Sequence, residues 1–212
     1  MKLIRSANLA LALALVAGSA TLAQAAPAPP PPPVRDYKAA PAGTYVVDKN
    51  HASVVARVPH QGFSYSTFRF GEVTGTLTWD PAKPTASTLN VSVDPKSIAT
   101  PVKGFAEELA GERFLKSTNF PAITFVSKSF TVANATHGKV SGDLTMLGVT
   151  KPITFDVELV GTGTGFRGPV MGVTAHGQFL PGDYNLTLTT KDPVQLDIEV
   201  EFDRRADPKP PA

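Results

Sequence analysis

Strict alternation of apolar and polar residues, repeated in separate segments, is the feature that most restricts this chain. Leu89-Asn90-Val91-Ser92-Val93-Asp94 alternates at every position, and so do 153–159 and 196–202. A period of two sends successive side chains to opposite faces, so each segment reads as a β-strand with one buried and one wet face. Weaker versions occur at 44–48, 53–60, 72–79, 123–130, 139–146 and 170–179. Turn formers separate them: Asp80-Pro81, Asp94-Pro95, His137-Gly138, the glycines of 161–165, and Pro181-Gly182-Asp183. Eight or nine antiparallel strands make a sandwich or a closed barrel. An eight-stranded up-and-down barrel encloses room for one small ligand, whereas a sandwich fills its interior with its own side chains. Alternation alone does not choose between them.

One segment departs from this period. Within 102–117, Phe105 and Leu109 stand four residues apart with Phe114 on the same side, and Glu107, Glu108, Glu112, Arg113 and Lys116 lie elsewhere. That spacing predicts a short amphipathic helix. Gly104 and Gly111 limit its length, and Phe120-Pro121 ends it. An apolar helix in a loop-rich setting is a candidate lid for a barrel, or a plug that closes one end.

The two termini read differently from the centre. Lys2 and Arg5 precede an uncharged stretch over 6–24 with a Leu/Ala-rich middle, and Ala23-Gln24-Ala25 has the small-x-small form of a cleavage site. Residues 1–25 are therefore expected to be a secretory signal peptide, which directs the protein to the periplasm. No second long apolar run follows, so no membrane span is expected after cleavage. Six prolines fall within 27–33, and 26–42 reads as a proline-rich linker of extended polyproline character. The folded domain is expected over 43–203, followed by a flexible tail over 204–212.

Charge and composition exclude several classes. The formal net charge is +2, but Lys2 and Arg5 lie in the signal segment, and without them 18 basic residues face 18 acidic ones. A neutral mature chain does not suggest a nucleic-acid binder. The chain has no cysteine, so disulfides, thiolate metal sites, cysteine nucleophiles and a lipidated N-terminal cysteine are all excluded. The four histidines (51, 60, 137, 176) show neither H-x3-H nor H-E-x-x-H spacing, and no metal site is expected. No G-x-S-x-G elbow, glycine-rich phosphate loop or dinucleotide fingerprint is present, so neither an enzyme nor a cofactor is expected.

A specific resemblance chooses the barrel. Tyr45-Val46-Val47-Asp48 with His51, then a strand ending at His60, resembles the opening of the YceI-like family of polyisoprenoid-binding, lipocalin-like proteins. Further segments resemble that family in order: 70–80, Ser97-Ile98-Ala99-Thr100, Phe114, and Phe120-Pro121-Ala122-Ile123-Thr124-Phe125. Gly142-Asp143-Leu144-Thr145-Met146-Leu147-Gly148-Val149-Thr150-Lys151-Pro152-Ile153 resembles its G-x-L-T-x-x-G-V-T-K-P-V run almost position by position. Gly148 to Pro152 also has a purely structural reading as a tight hairpin, with glycine supplying the positive φ. The chain departs from the pattern at 178–184, where the family carries an arginine, and at Ala52 and Ala56, where Ser and a large aromatic are common.

The resemblance implies an all-β fold: an extended eight-stranded antiparallel barrel, lipocalin-like, with a short helical insertion. It also implies an isoprenoid lipid, polyprenyl phosphate or quinone-like, held in an apolar interior by a periplasmic carrier or reservoir. The twelve phenylalanines against one tryptophan suit such a lining, since Phe supplies area without a polar tip. Val58, Phe70, Val91, Phe125, Leu144, Phe155 and Ile198 are the candidate wall, Phe105 and Leu109 the candidate lid, and His51 and His60 the candidate mouth. A stress-related structural or interaction protein with a self-filled barrel is the competing reading, and an enzyme built on the barrel is the third. A barrel with edge strands also has the means to form a homodimer.

Overall fold

The computed structural model describes residues 31–205. Ten strands form one antiparallel sheet: β1 (Gly43–His60), β2 (Ser64–Phe70), β3 (Val73–Trp79), β4 (Thr88–Val93), β5 (Ile98–Ala99), β6 (Ile123–Val132), β7 (His137–Met146), β8 (Val149–Gly165), β9 (Gly168–Phe179) and β10 (Val194–Arg204). The hydrogen-bonded order is β10-β9-β8-β7-β6-β4-β3-β1-β2-β5, and β10 also pairs with β1. Eight strands (β1, β3, β4, β6 to β10) therefore close a ring, with β2 and β5 as a flap continuing from the second half of β1. The expected barrel is present, and the sandwich alternative is not.

The strand count differs from the sequence reading at β1. Two expected strands fuse into one of 18 residues. Between them the ladder to β10 slips: Val47 pairs with Phe202 and Ala52 with Val200, so four residues of β1 face Glu201 alone. This bulge also marks where β1 changes its other partner from β3 (Val46↔Thr76) to β2 (Val54↔Phe70). Bulges bend a strand and raise its twist, which lets one long strand serve two neighbours along a curved wall. β2 escaped the sequence reading because its inward residues, Ser66, Phe68 and Phe70, include no aliphatic one.

The two ends of the barrel are built from different parts. At the near end, where β1 begins and β10 finishes, lie the β3–β4 connection and the β6–β7 and β8–β9 turns. A strap formed by 34–42 crosses this end. Val34 exchanges two main-chain hydrogen bonds of 2.8 Å with Thr162, and the Tyr37 amide donates to the Ala135 carbonyl at 3.0 Å. The Tyr37 ring meets Trp79 edge-on with centroids 6.0 Å apart. Ala40 is fully buried, and the Tyr45 hydroxyl donates to the Pro41 carbonyl at 2.7 Å. The linker expected over 26–42 is thus shorter: from Val34 onward it is docked, because Tyr37 and Ala40 give it apolar surface to bury. The expected signal peptide and most of the expected tail lie outside the described residues.

At the far end, where β1 turns into β2, the insertion 94–122 and the loop 180–193 cover the barrel. The helix α1 (Phe105–Ala110) forms within the limits set by its glycines, and Gly104 precedes it at φ +78°. Leu109 is buried, and Phe105 packs edge-on against Phe68 and Phe114. The β7–β8 hairpin closes through Leu147 and Gly148, both at positive φ, with Met146 paired to Val149. This is the two-residue turn with positive φ at both central positions.

Candidate functional site

Inward-facing positions of the ring enclose an apolar cavity of about 280 Å³. It follows the barrel from the β6–β7 turn at the near end to Val58, Phe179 and Leu188 at the far end. β7 spans ten residues, so the lumen it flanks is on the order of 30 Å long before strand tilt is allowed for. That volume spread over such a length describes a narrow channel, shaped for a chain and too thin for a globular ligand. The barrel is therefore not filled by its own side chains.

Glycines decide where the largest rings lie. Phe125 and Phe155 meet edge-on with centroids 5.3 Å apart. A Cβ on Gly142 would stand 2.7 Å from the Phe125 ring, and one on Gly177 would stand 2.6 Å from the Phe155 ring. Both glycines share the inward parity of their strands, beside Leu144 and Ala175. Each ring thus lies over a glycine against the wall, which leaves the lumen free.

Of the sequence candidates, Val58, Phe70, Val91, Leu109, Phe125, Leu144, Phe155 and Ile198 line the cavity. Three others do not. Phe105 stands behind Phe68 and Phe114, which are themselves wall residues, and so supports the wall from outside. His60 is exposed at the start of the β1–β2 turn. His51 is exposed on the outer face of the bulge, where its Nδ1 lies 3.0 Å from Asp48 Oδ2. The register slip explains the error: the extra residues break the alternation that would have assigned His51 a face. This contact and the Glu201 carboxylate raise the His51 pKa, while the same contact and the Asn50 amide lower that of Asp48.

Sequence reasoning missed several wall residues. Tyr37 and Trp79 close the near end, and Phe68, Phe114, Leu186 and Leu188 close the far end. The Leu186-Thr187-Leu188 alternation was a usable signal, but it sits in a connection rather than a strand. The segment that departs from the family's arginine pattern holds a turn at Pro181–Tyr184, with Tyr184 buried against Phe179 at 5.4 Å. Burial pushes the Tyr184 hydroxyl up to about 12 and raises that of Tyr45 as well. In place of a cationic group, this end carries an aromatic and aliphatic cover.

The β6–β7 turn, with Asn134 and Thr136, borders the cavity at the near end, while His137 and Lys139 take the outward parity of β7. On the outer side there, Lys139 meets Asp156 and Arg35 meets Glu158, and the His137 ring also approaches Glu158. The His137 Nδ1 lies 2.8 Å from the Thr136 hydroxyl. What this arrangement can do is bury an apolar chain along the lumen. Among the described residues no helix is long and apolar enough to cross a membrane.

Comparison with known proteins agrees with this architecture. Residues 45–202 match the family model of the YceI-like domain. A UPF0312 protein of Shewanella sp. (strain W3-18-1) is 34% identical over 176 residues, covering 79% of this chain and 91% of that one. The crystal structure of the Campylobacter jejuni YceI protein matches with a TM-score of 0.61 at 27% identity, covering 71% of this chain and 91% of that chain. A polyisoprenoid-binding domain from Saccharophagus degradans, implicated in plant cell wall breakdown, shares the fold with a TM-score of 0.55 at 14% identity, covering 76% and 98% of the two chains.

Proposed function

The chain belongs to the YceI-like family, and from that premise we propose that it binds one isoprenoid lipid inside the barrel and serves as a periplasmic carrier or reservoir. The observation that carries this reading is the narrow apolar channel along the barrel axis. Each buried methylene contributes about 0.8 kcal/mol, so a prenyl chain threaded along this wall binds without a strong polar contact. The described polyisoprenoid-binding domain of the same fold supports the ligand class, and the export signal expected over 1–25 supports the compartment.

The orientation follows from the two ends. The apolar tail points to the far end, under Phe68, Phe114, Leu186 and Leu188. The polar end lies at the near end, by the β6–β7 turn with Asn134 and Thr136. Because the neighbouring cations are already opposed by Asp156 and Glu158, an uncharged oxygen-bearing head suits this rim better than a phosphate. The test is extraction of protein purified from its native host into organic solvent, followed by mass spectrometry. A prenyl lipid near one equivalent per chain is the expected result. A lipid-free extract, together with no uptake of added polyprenol or long-chain quinone, overturns the reading.

A further inference from the structure

The bulge in β1 gathers a set of side chains that the lipid site does not use. Asp48 and His51 lie three residues apart in sequence, and the register slip places both on the outer face opposite Glu201. One ligand atom from each of the three residues falls within 4.8 Å of the other two. His51 Nδ1 is 3.0 Å from Asp48 Oδ2 and 3.9 Å from a Glu201 oxygen. The donors of a tetrahedral zinc ion, at about 2.0–2.2 Å from the metal, stand roughly 3.3–3.6 Å from one another. The observed separations bracket that edge, so small side-chain movements would bring the three atoms onto one ion.

We propose that Asp48, His51 and Glu201 form a binding site for a divalent transition-metal ion, and that the ion clips β1 to β10 where their ladder is interrupted. Imidazole with two carboxylates suits zinc and its neighbours in the first transition row. Calcium would ask for six to eight oxygens, which three side chains with one nitrogen do not supply. The local field also favours a cation. Asp203 lies close enough to act on His51, so three carboxylates share this patch, and Arg167, which contacts Asp203, is a cation that opposes them. One Asp48 oxygen is engaged by the Asn50 amide at 2.9 Å, which orients the other toward His51. Three protein ligands leave a fourth position for water.

The seam gives the site its consequence. β1 and β10 are the strands that close the ring, and at Glu201 four residues of β1 have no one-to-one partner. A chain without cysteine has no disulfide with which to fasten that point, and a metal shared between the two strands would do so. Binding to the folded state alone stabilises it by mass action.

The test uses the tag-free mature chain and zinc chloride as the probe, read by calorimetry and by thermal unfolding. One zinc per chain and a raised unfolding temperature are expected. H51A and E201Q should each weaken zinc binding by more than about tenfold and abolish the thermal shift. H60A, at the exposed β1–β2 turn, should change neither. The His51 and Glu201 side chains are largely solvent-exposed, and circular dichroism checks that the variants fold. Absence of zinc binding by the folded wild-type chain overturns the proposal. So does undiminished binding by H51A, which would place the ion elsewhere. The outcome is independent of the lipid, because these residues lie outside the channel.

Discussion

The two ends of the barrel are closed by different physics. At the near end, main-chain hydrogen bonds from Val34 and Tyr37 stitch the strap onto β8 and the β6–β7 turn, and Tyr45 ties it to β1 through the Pro41 carbonyl. At the far end, the two-residue β5 pairs the insertion with β2, and the rest of the cover packs through rings and aliphatic chains, with Phe105 on Phe68 and Tyr184 on Phe179. Directional hydrogen bonds fix one geometry, whereas apolar packing tolerates sliding and re-packing. The lining is apolar under both ends, with Tyr37 and Trp79 beneath the stitched one and Phe68 and Phe114 beneath the packed one. One barrel can thus carry a fixed cover at one end and a yielding cover at the other over the same apolar channel.

Breaking the stitched end should have the largest effect. Tyr45 is fully buried, and Tyr45→Ala should cost about 4 kcal/mol in denaturant unfolding. Tyr45→Phe removes only the hydroxyl's hydrogen bond and should cost about 1 kcal/mol. If the two variants lost equal stability, the hydrogen bond to the strap and not the ring would hold that end.

Alkaline titration probes both ends at once. Burial raises the hydroxyl pKa of Tyr45 at the near end and of Tyr184 at the far end, the latter to about 12. Each folded group holds its proton more tightly than the unfolded one, so its contribution is complete below pH about 10 and is lost as pH rises toward 12. Stability measured across that window should fall, and Tyr184→Phe should remove the far-end part of the fall.

Smaller effects separate packing from occupancy. Phe105→Ala at the half-buried far-end cover should cost about 2 kcal/mol and speed the exchange of a bound lipid. A loss as large as that of Tyr45→Ala would erase the distinction between the ends. Gly177→Ala should cost about 1 kcal/mol through overpacking. The three atoms nearest its Cβ all belong to the Phe155 ring, which is expected to swing from the wall into the lumen. Lipid uptake, measured at equal folded fraction, should fall with it. Unchanged uptake would mean that the lipid does not pass Phe155.

The fold was legible because alternation in 153–159 and 196–202 is a direct record of which face is buried. The wall residues Val91, Leu144 and Phe155 followed from the same parity. His51 did not, because four bulge residues opposite Glu201 erase the parity there. Glu201 was invisible as its neighbour, since a cross-strand contact depends on register and not on spacing within one strand. The strap was obscured by composition: prolines upstream masked the two residues, Tyr37 and Ala40, that dock it. The roles of Gly142 and Gly177 follow only from the fold, which shows that they make room for Phe125 and Phe155.

Trp79 is the single tryptophan of the chain and lines the near end of the channel beside Tyr37. Its fluorescence reports directly on whether a lipid occupies the lumen. Titration of delipidated protein with a long-chain prenyl quinone should quench Trp79 saturably at one equivalent, and Gly177→Ala should weaken that quenching. A signal that stays unchanged through saturating quinone, or falls linearly without saturation in both proteins, would contradict a lipid-filled barrel.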